Sequence, residues 1–437
     1  MRIALTHNLR LSDSEEEAEF DTRETVDALA AALERLGHRV ERIEVSGPAS
    51  RTVARLEAFG PDLIFNTAEG RRGRFREAFF PALFDELGMP YTGSDAYALA
   101  LTLDKQLTKL VLAQHGVPTP RWQYVEDPRQ LQPNALRYPV IVKPNFEGSS
   151  KGITQDSVVE DALRLHEVVR DALARYPAGL LVEEFVVGRD VTVPFLEAAA
   201  PERLGVLQPV EYVIDEAAAA TRRYAIYDYE LKTKLDRFVS VRAPAKVKRS
   251  HAERIQEICA GVYRQLGIRD LGRIDLRLGD DGQLYFLEIN ALPSLEPGAG
   301  IYASAALEGL HEDAVLAAVV QSATQRWGIA EPRGRRGRPK RTERLKVGFS
   351  FNVKRVTPDP SGEGDEEAEY DSPKTLQAIR EAIASYGHEV VDLEATTELP
   401  IVLASTPVDV VFNIAEGFKG RNRESQVPSL LELLDIP

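Results

Sequence analysis

Short apolar bursts punctuate this chain, separated by amphipathic stretches of helical period. Residues 2–5 (RIAL) open a strand, and the helical stretch after it stops at Leu36, Gly37 and His38, with glycine as the terminator. Up to Pro90 the order reads β-α-β-α, the pattern of a parallel sheet with crossover helices. Residues 99–112 carry apolar positions at helical spacing and read as one core helix face, with Lys105 the exception that needs a reason. Residues 138–153 (YPVIVKPNFEGSSKGI) read as a β-branched strand that delivers Lys143 to a loop holding Gly148, Ser149, Ser150 and Gly152. Segments 273–278 and 283–289 alternate about a glycine-rich turn at 279–282, a hairpin. Residues 251–266 read as a helix with Cys259 on its apolar face.

Two of these segments carry chemistry. A strand-end lysine beside a loop of backbone N–H donors and hydroxyls is a phosphate cradle, with lysine acting as a point charge. The same residues would also serve as a Gly/Ser turn after a core strand. In the hairpin, Glu288 and Asn290 are two apart and share a face, and Asp275 on the partner strand can oppose them. Three oxygen ligands on one face suit Mg²⁺, which takes carboxylates together with nucleotide phosphates. Arg273 shares that face and could neutralise a phosphoryl group or an oxyanion. Leu276, Leu278, Tyr285 and Phe286 argue against a merely solvated polar face, because clustered carboxylates in an apolar setting need a cation.

Positions 1–326 resemble the ATP-grasp superfamily, and within it the D-alanine–D-alanine ligase family. The resemblance is spread over five motifs in order: YTGS (Tyr91–Thr92–Gly93–Ser94) with LDK and TK at 103–109, the Lys143 strand and loop, LVEEFVVGRDVTV at 181–193, YDYELK at 227–232, and GRID…LEIN at 272–290. The resemblance implies that Lys105, Lys143 and Lys232 contact ATP phosphates, with Glu147, Ser149 and Ser150 in the phosphate loop. It implies Glu183 at the adenine amino group, Phe185, Val186 and Leu287 along the adenine slot, and Asp190 on the ribose. It implies Asp275, Glu288 and Asn290 as ligands of two Mg²⁺ ions, with Mn²⁺ as a substitute. Arg273, Lys232 and Ser150 would be catalytic, and Glu19, Glu69, Arg273 and Ser294 would meet substrate. The implied reaction is phosphorylation of a carboxylate followed by amine attack on the acyl phosphate.

The chain departs from the family pattern near the substrates. Thr233 stands where the family has a lid tyrosine, so lid closure is either looser or made by another residue. Residues 291–300 (ALPSLEPGAG) replace the usual run, with Ser294 in place of a glycine near the oxyanion site. Glu69 in FNTAEG replaces a histidine, and its carboxylate suits an ammonium group. Glu17, Glu19 and Asp21 precede the first helix, either favouring its N-terminus or holding a substrate ammonium. Arg71, Arg72, Arg74 and Arg76 read as solvated, with one able to meet a substrate carboxylate.

The chain also repeats its own beginning: residues 2–90 and 346–437 share RIALTHN/KVGFSFN, EAEFD/EAEYD, FNTAEG/FNIAEG and LGMP/LDIP in the same order. This is a duplicated module, and its second copy stops before any equivalent of Lys105 or Lys143. The expectation is a tandem ligase truncated within its second half, or a regulatory second domain. The expected fold is α/β, with α+β character in the ATP-grasp part. Residues 1–97 form a pre-ATP-grasp β/α domain, and 98–326 form a two-part ATP-grasp domain (98–184 and 185–326). Residues 327–345 make a basic linker, and 346–437 a second pre-ATP-grasp-like domain.

Composition adds boundaries. With 437 residues and a net charge of −14, the chain suits an acidic, multi-unit cytosolic enzyme rather than a general nucleic-acid binder. One cysteine excludes an internal disulfide framework and a multi-cysteine zinc site. No signal peptide or membrane-length apolar run is visible. The linker's RGRP at 336–339 resembles the core of an AT-hook and keeps DNA association as a competing class, alongside a non-catalytic nucleotide sensor and a ligase of secondary metabolism. Expected partners are small amino-acid-like carboxylates and amines, with a homodimer as the assembly.

Overall fold

The computed structural model describes residues 1–329, 345–355, 370–417, 423–434 and 436–437. The chain divides into two compact units, Met1–Gly334 and Arg335–Pro437. The basic linker motif and Glu367 and Glu369 of EAEYD lie outside the described residues. No helix among the described residues is long and apolar enough to cross a membrane.

The first unit opens with β1 (Arg2–His7), β2 (Arg39–Glu44) and β3 (Leu63–Asn66), a parallel sheet in the order β2-β1-β3. The helix Arg23–Arg35 starts where the Thr22 hydroxyl accepts the Thr25 N–H at 3.1 Å. It buries Val26, Leu29 and Leu33 against Ile3, Leu5, Leu63 and Phe65, under the later helix Glu312–Arg326. The other sheet face is filled by Leu56, Phe80, Phe84 and Tyr91.

The stretch 99–112 is two helices rather than one, Ala96–Leu103 and Lys105–Gln114. Asp104 breaks them, because its carboxylate accepts the Leu107 N–H at 3.0 Å and the Asn145 amide at 2.7 Å. The break makes Lys105 the first residue of the second helix, which gives that lysine its reason.

Strands β4 (Trp122–Val125), β5 (Val140–Pro144), β6 (Val158–Val159) and β7 (Leu180–Glu184) form an antiparallel sheet ordered β4-β7-β5-β6. It packs on the helix Ala162–Arg175 through Leu165, Val169 and Leu173. Next come β8 (Gly188–Leu196), the ribbon of β9 (Glu211–Ile214) and β10 (Val239–Arg242), and the hairpin β11 (Leu271–Gly279) and β12 (Leu284–Asn290). The third sheet runs β12-β11-β8 and rests on Ile255, Cys259 and Val262 of the helix Arg249–Gln265. Cys259 is a fully buried free thiol, as its helix face predicts.

The hairpin contains a one-residue irregularity that the sequence pattern does not announce. Leu276 pairs with Phe286, but Asp275 pairs with Glu288, so Leu287 is the extra residue. In an unbroken ladder Asp275 would oppose Leu287, and Glu288 would turn into the core. The bulge therefore sets Glu288 across from Asp275, while Phe286 and Ile289 stay buried.

The second unit is built on β13 (Lys346–Phe351), β14 (Glu389–Glu394) and β15 (Val410–Asn413), parallel and ordered β14-β13-β15. Helices Pro373–Ser385, Leu399–Ser405 and Gln426–Leu433 accompany it.

Candidate active site

A cleft of about 490 Å³ lies where the β5/β7 sheet, the β8/β11/β12 sheet and the 221–233 segment meet. Lys143, Ser149, Ser150, Glu183, Phe185, Val186, Asp190, Lys232, Arg273, Asp275, Leu287, Glu288 and Ser294 all line it. Lys105, Glu147, Asn290, Glu19 and Glu69 are not among its lining residues, and each is connected to it differently.

At the phosphate end, Lys143 leaves β5 and meets the Glu183 carboxylate on β7 at 2.5 Å. The other Glu183 oxygen lies 3.0 Å from Lys109, whose side chain is fully buried and also bonds Thr119. Burial opposes ionisation of Glu183, but Lys109 and Lys143 outweigh it and hold its pKa below the usual carboxylate range. Burial lowers Lys109 to about 8 despite Glu183, with the Lys143 charge adding to the effect. Lys105 reaches the Glu147 carbonyl at 2.5 Å and Glu288 at 3.3 Å, so it arrives at the cleft through the metal-type carboxylate.

The glycine-serine loop is strained and closed by the lid. Ser149 and Ser150 both have left-handed φ, at 51° and 57°. The Ser149 hydroxyl accepts from Lys232 at 3.0 Å, and the Ser150 hydroxyl donates to the Tyr227 carbonyl at 2.9 Å. Thr233, where a tyrosine contact was absent from the sequence, bonds back to the Tyr229 carbonyl at 2.7 Å and takes no part in closure. Main-chain and lysine contacts hold the lid instead. Burial lowers the pKa of Lys232, and nearby Arg273 lowers it further.

One expectation needs correcting. The N–H groups of Gly148 and Gly152 do not face the cleft as phosphate donors, since they donate to Glu19 at 2.8 Å and to Glu15 at 2.7 Å. Glu19 is consumed by the same arrangement. Arg76 meets it at 2.9 Å and Lys151 at 2.8 Å, and together they overcome burial and pull its pKa to about 2. Glu19 thus ties the first sheet's loop to the phosphate loop. Arg76, read as solvated, is buried in this knot, while Arg71, Arg72 and Arg74 are exposed. Glu69 sits beside Glu77 and Glu19, and burial with their like charges pushes its pKa well up.

On the hairpin, Arg273 holds both oxygens of Asp275, at 3.1 and 2.8 Å. Thr192 donates to Asp275 at 2.9 Å and the Asn290 amide at 3.3 Å, leaving the Asn290 carbonyl free of that bond. Burial raises Asp275, and the facing Glu288 adds to it against the pull of Arg273. Burial resists the charge on Glu288, but Lys105, Lys143 and Arg273 bring its pKa down. Among the described residues no group of three or more His, Cys, Asp or Glu side chains is arranged to hold a metal. Two half-buried like-charged carboxylates and an amide oxygen nevertheless fit Mg²⁺, which needs few protein ligands when phosphates supply the rest.

The sequence reading assigns no role to two side chains that bond directly to candidate site residues. Lys109 was detectable as the i+4 partner of Lys105 on one helix face. Arg277 spans the adenine end, meeting Asp190 at 2.6 Å and the carbonyls of Val186 and Ala225 at 2.9 Å, and lying 5.3 Å from the Phe185 ring centroid. Its signal was alternation with Arg273 and Asp275 on the same strand face.

Two antiparallel sheets gripping a lysine- and carboxylate-lined cleft, beside a parallel β/α domain, define the ATP-grasp class of fold. A family model described as the D-ala D-ala ligase C-terminus matches residues 111–321. A D-alanine–D-alanine ligase of Aquifex aeolicus is 32% identical over 273 residues, 62% of this chain and 84% of the relative. One from Azoarcus sp. is 30% identical over 298 residues, 68% of this chain and 90% of the relative. The crystal structure of D-alanine–D-alanine ligase from Bacillus anthracis complexed with ATP superposes with a TM-score of 0.59 at 19% identity, covering 75% of this chain and 99% of that one. This chain belongs to the D-alanine–D-alanine ligase-like ATP-grasp family. ATP binding is general to that family, with magnesium typical.

Proposed function

We propose that the chain is an ATP-dependent carboxylate–amine ligase that works through an acyl phosphate. The observation that carries this reading is the convergence on one cleft of Lys143, Lys232 and Arg273 from three separate segments, together with Asp275 and Glu288. Lys143, Lys105 and Lys232 would grip the triphosphate. Phe185, Val186 and Leu287 would sandwich the base, Glu183 would accept from its amino group, and Asp190 would hold the ribose. Asp275, Glu288 and Asn290 would hold magnesium, which when bound supplies charge neutralisation between the phosphates. The substrate carboxylate attacks the terminal phosphorus, the bond to the bridging oxygen breaks, and ADP leaves. Arg273 would stabilise charge on the transferred group and then on the tetrahedral intermediate. No protein nucleophile is required, so positioning and water exclusion supply most of the rate.

The lid contacts support this reading, because Lys232 bonds the Ser149 hydroxyl and Ser150 bonds the Tyr227 carbonyl, which links the segment 227–233 to the phosphate loop. Lys143→Ala and Glu288→Ala should each lower ATP consumption by about a hundredfold or more while the fold survives. The assay is ADP release from Mg-ATP over an amino-acid and amine panel, with circular dichroism as the folding control. Turnover near that of the unaltered protein in either variant would overturn the assignment.

A further inference from the structure

The sheet face that carries Asp275 continues along the cleft to a second ion pair. Strands β8 and β11 run antiparallel, and their register sets Asp275 opposite Thr192 and Arg277 opposite Asp190. Arg273, Asp275 and Arg277 alternate along β11 and share one face, as Asp190 and Thr192 do on β8. All of them line the cleft. Asp190 keeps 29% of its side chain exposed there, so it is held by Arg277 and still open to a ligand.

Arg277 is itself buried, and its N–H groups are spent on separate parts of the nucleotide end. Nη1 donates to the Asp190 carboxylate at 2.6 Å, Nε to the Val186 carbonyl at 2.9 Å, and Nη2 to the Ala225 carbonyl at 2.9 Å. Asp190 belongs to β8, Val186 to the hinge between β7 and β8, and Ala225 to the lid segment 221–233. The Phe185 ring, 5.3 Å from the guanidinium carbon, also meets Tyr224 of the lid edge-on at 5.5 Å. A guanidinium is a rigid planar fork, so one side chain fixes the relative positions of strand, hinge and lid; an ammonium, as a point charge, would not. Without that fork the Asp190 carboxylate has other rotamers to visit and is no longer preset for a ligand hydroxyl.

We propose that Arg277 is a positioning residue of the nucleotide site. It presets the Asp190 carboxylate for the ribose hydroxyls and ties the root of the lid to the hinge, so that ribose recognition and lid closure depend on one guanidinium. This inference rests on the assignment of Asp190 to the ribose in the ligase reading above.

The test is calorimetric titration of the full chain with Mg-ADP and with the magnesium complex of its dideoxy analogue, which lacks both ribose hydroxyls. The unaltered protein should bind ADP at least about tenfold more tightly than the analogue, because hydroxyl bonds to a carboxylate are charge-assisted. In Arg277→Lys, which keeps the charge and loses the fork, that ratio should fall to about twofold or less, as it should in Asp190→Asn. Arg277→Met reads the same ratio with the charge removed. A packing role alone would weaken both nucleotides by one factor and leave their ratio untouched. Hydrogen exchange of the amides 224–228 gives the second readout: saturating Mg-ADP should protect them in the unaltered protein and in Asp190→Asn, but not in Arg277→Lys. A ratio unchanged in the Arg277 variants, or lid protection unchanged in Arg277→Lys, would overturn the inference and leave the ligase reading standing. No binding of either nucleotide by the unaltered protein would remove the nucleotide site itself, and the inference with it.

Discussion

Glu183→Gln is the sharpest test of how the phosphate end is held together. In the native protein one carboxylate, 2% exposed, faces Lys143 at 2.5 Å and the fully buried Lys109 at 3.0 Å. Replacing it with a neutral amide leaves two buried ammonium groups and no anion between them. Removing one member of a buried ion network costs about 3–5 kcal/mol, because the desolvation of what remains is no longer compensated. Lys109 provides a second, more specific signature. Its pKa is already down at about 8 with Glu183 present, so without that carboxylate it must fall further. A lysine whose folded pKa lies below its unfolded value gives up its proton on folding within that interval. The unfolded chain then binds more protons, and stability rises with pH there, by up to about 1.4 kcal/mol per pH unit. In the unaltered protein the interval starts near pH 8, so unfolding free energy from this source is flat between pH 6 and 7. In Glu183→Gln the rise should begin a unit or more lower. Urea unfolding without nucleotide, followed by Trp122 fluorescence 5.6 Å from the Lys109 ammonium, reads both effects. A loss under about 1 kcal/mol at pH 7, or identical pH slopes, would show that Glu183 does not neutralise this pair.

Two further perturbations follow from the same knot and its copy. Burial holds Glu77 at about 7 against the pull of Arg76, so the native state keeps a proton that the unfolded chain releases near its ordinary value of 4.5. Stability from this group is therefore present below about pH 4.5 and is lost as pH rises through 7, on the order of 3 kcal/mol, and Glu77→Gln should remove that slope from thermal melts. Gly70 and Gly417 both have left-handed φ, at 71° and 74°, and an added Cβ would fall 2.2 and 2.1 Å from the carbonyls of Arg76 and Arg423. Gly70→Ala and Gly417→Ala should each cost about 2–4 kcal/mol in chemical denaturation, and a loss below about 1 kcal/mol would mean that the loop relaxes without strain.

The strands and the hairpin are legible because their signals are local: alternation at 273–278 and 283–289, and a glycine turn between them. Cys259 is legible for the same reason, since its helix face is written in neighbouring residues. What the sequence hides is what a single extra residue or a distant partner decides. The Leu287 bulge flips the facing of Glu288, yet nothing in LEIN distinguishes a bulged from a regular strand. The break at Asp104 depends on Asn145, far along the chain, donating to its carboxylate. The knot of Arg76, Glu19 and Lys151 draws on three segments, each of which looks solvated alone. The loop amides of Gly148 and Gly152 are illegible in the sequence because their acceptors, Glu19 and Glu15, lie more than a hundred residues earlier in the chain.

The second unit repeats the first unit's sheet order and part of its internal bonding but, among the described residues, not its cover. Thr6 donates to Asn66 across β1 and β3, and Ser350 donates to Asn413 across β13 and β15. The Asn8 side-chain oxygen takes the Gly70 N–H, and that of Asn352 takes the N–H of Glu416, one position earlier in the repeat. The apolar positions diverge. Leu29, Leu33, Leu63 and Phe65 are buried beneath Val315, Leu316 and Val319 of the helix Glu312–Arg326. Their counterparts Ile379, Ile383 and Val410 are only partly buried, and Phe412 is 48% exposed where Phe65 is 1% exposed. A fully buried large side chain contributes about 1.5–3 kcal/mol, so four partly uncovered ones forgo on the order of 3 kcal/mol. Cooperative opening of β13–β15 should therefore need less free energy than opening of β1–β3. Native-state hydrogen exchange read by mass spectrometry measures both in one sample. Equal protection of the Val347–Phe351 and Ile3–His7 amides would mean that the uncovered face costs the second unit nothing, and that burial beneath the helix Glu312–Arg326 is not what stabilises the first.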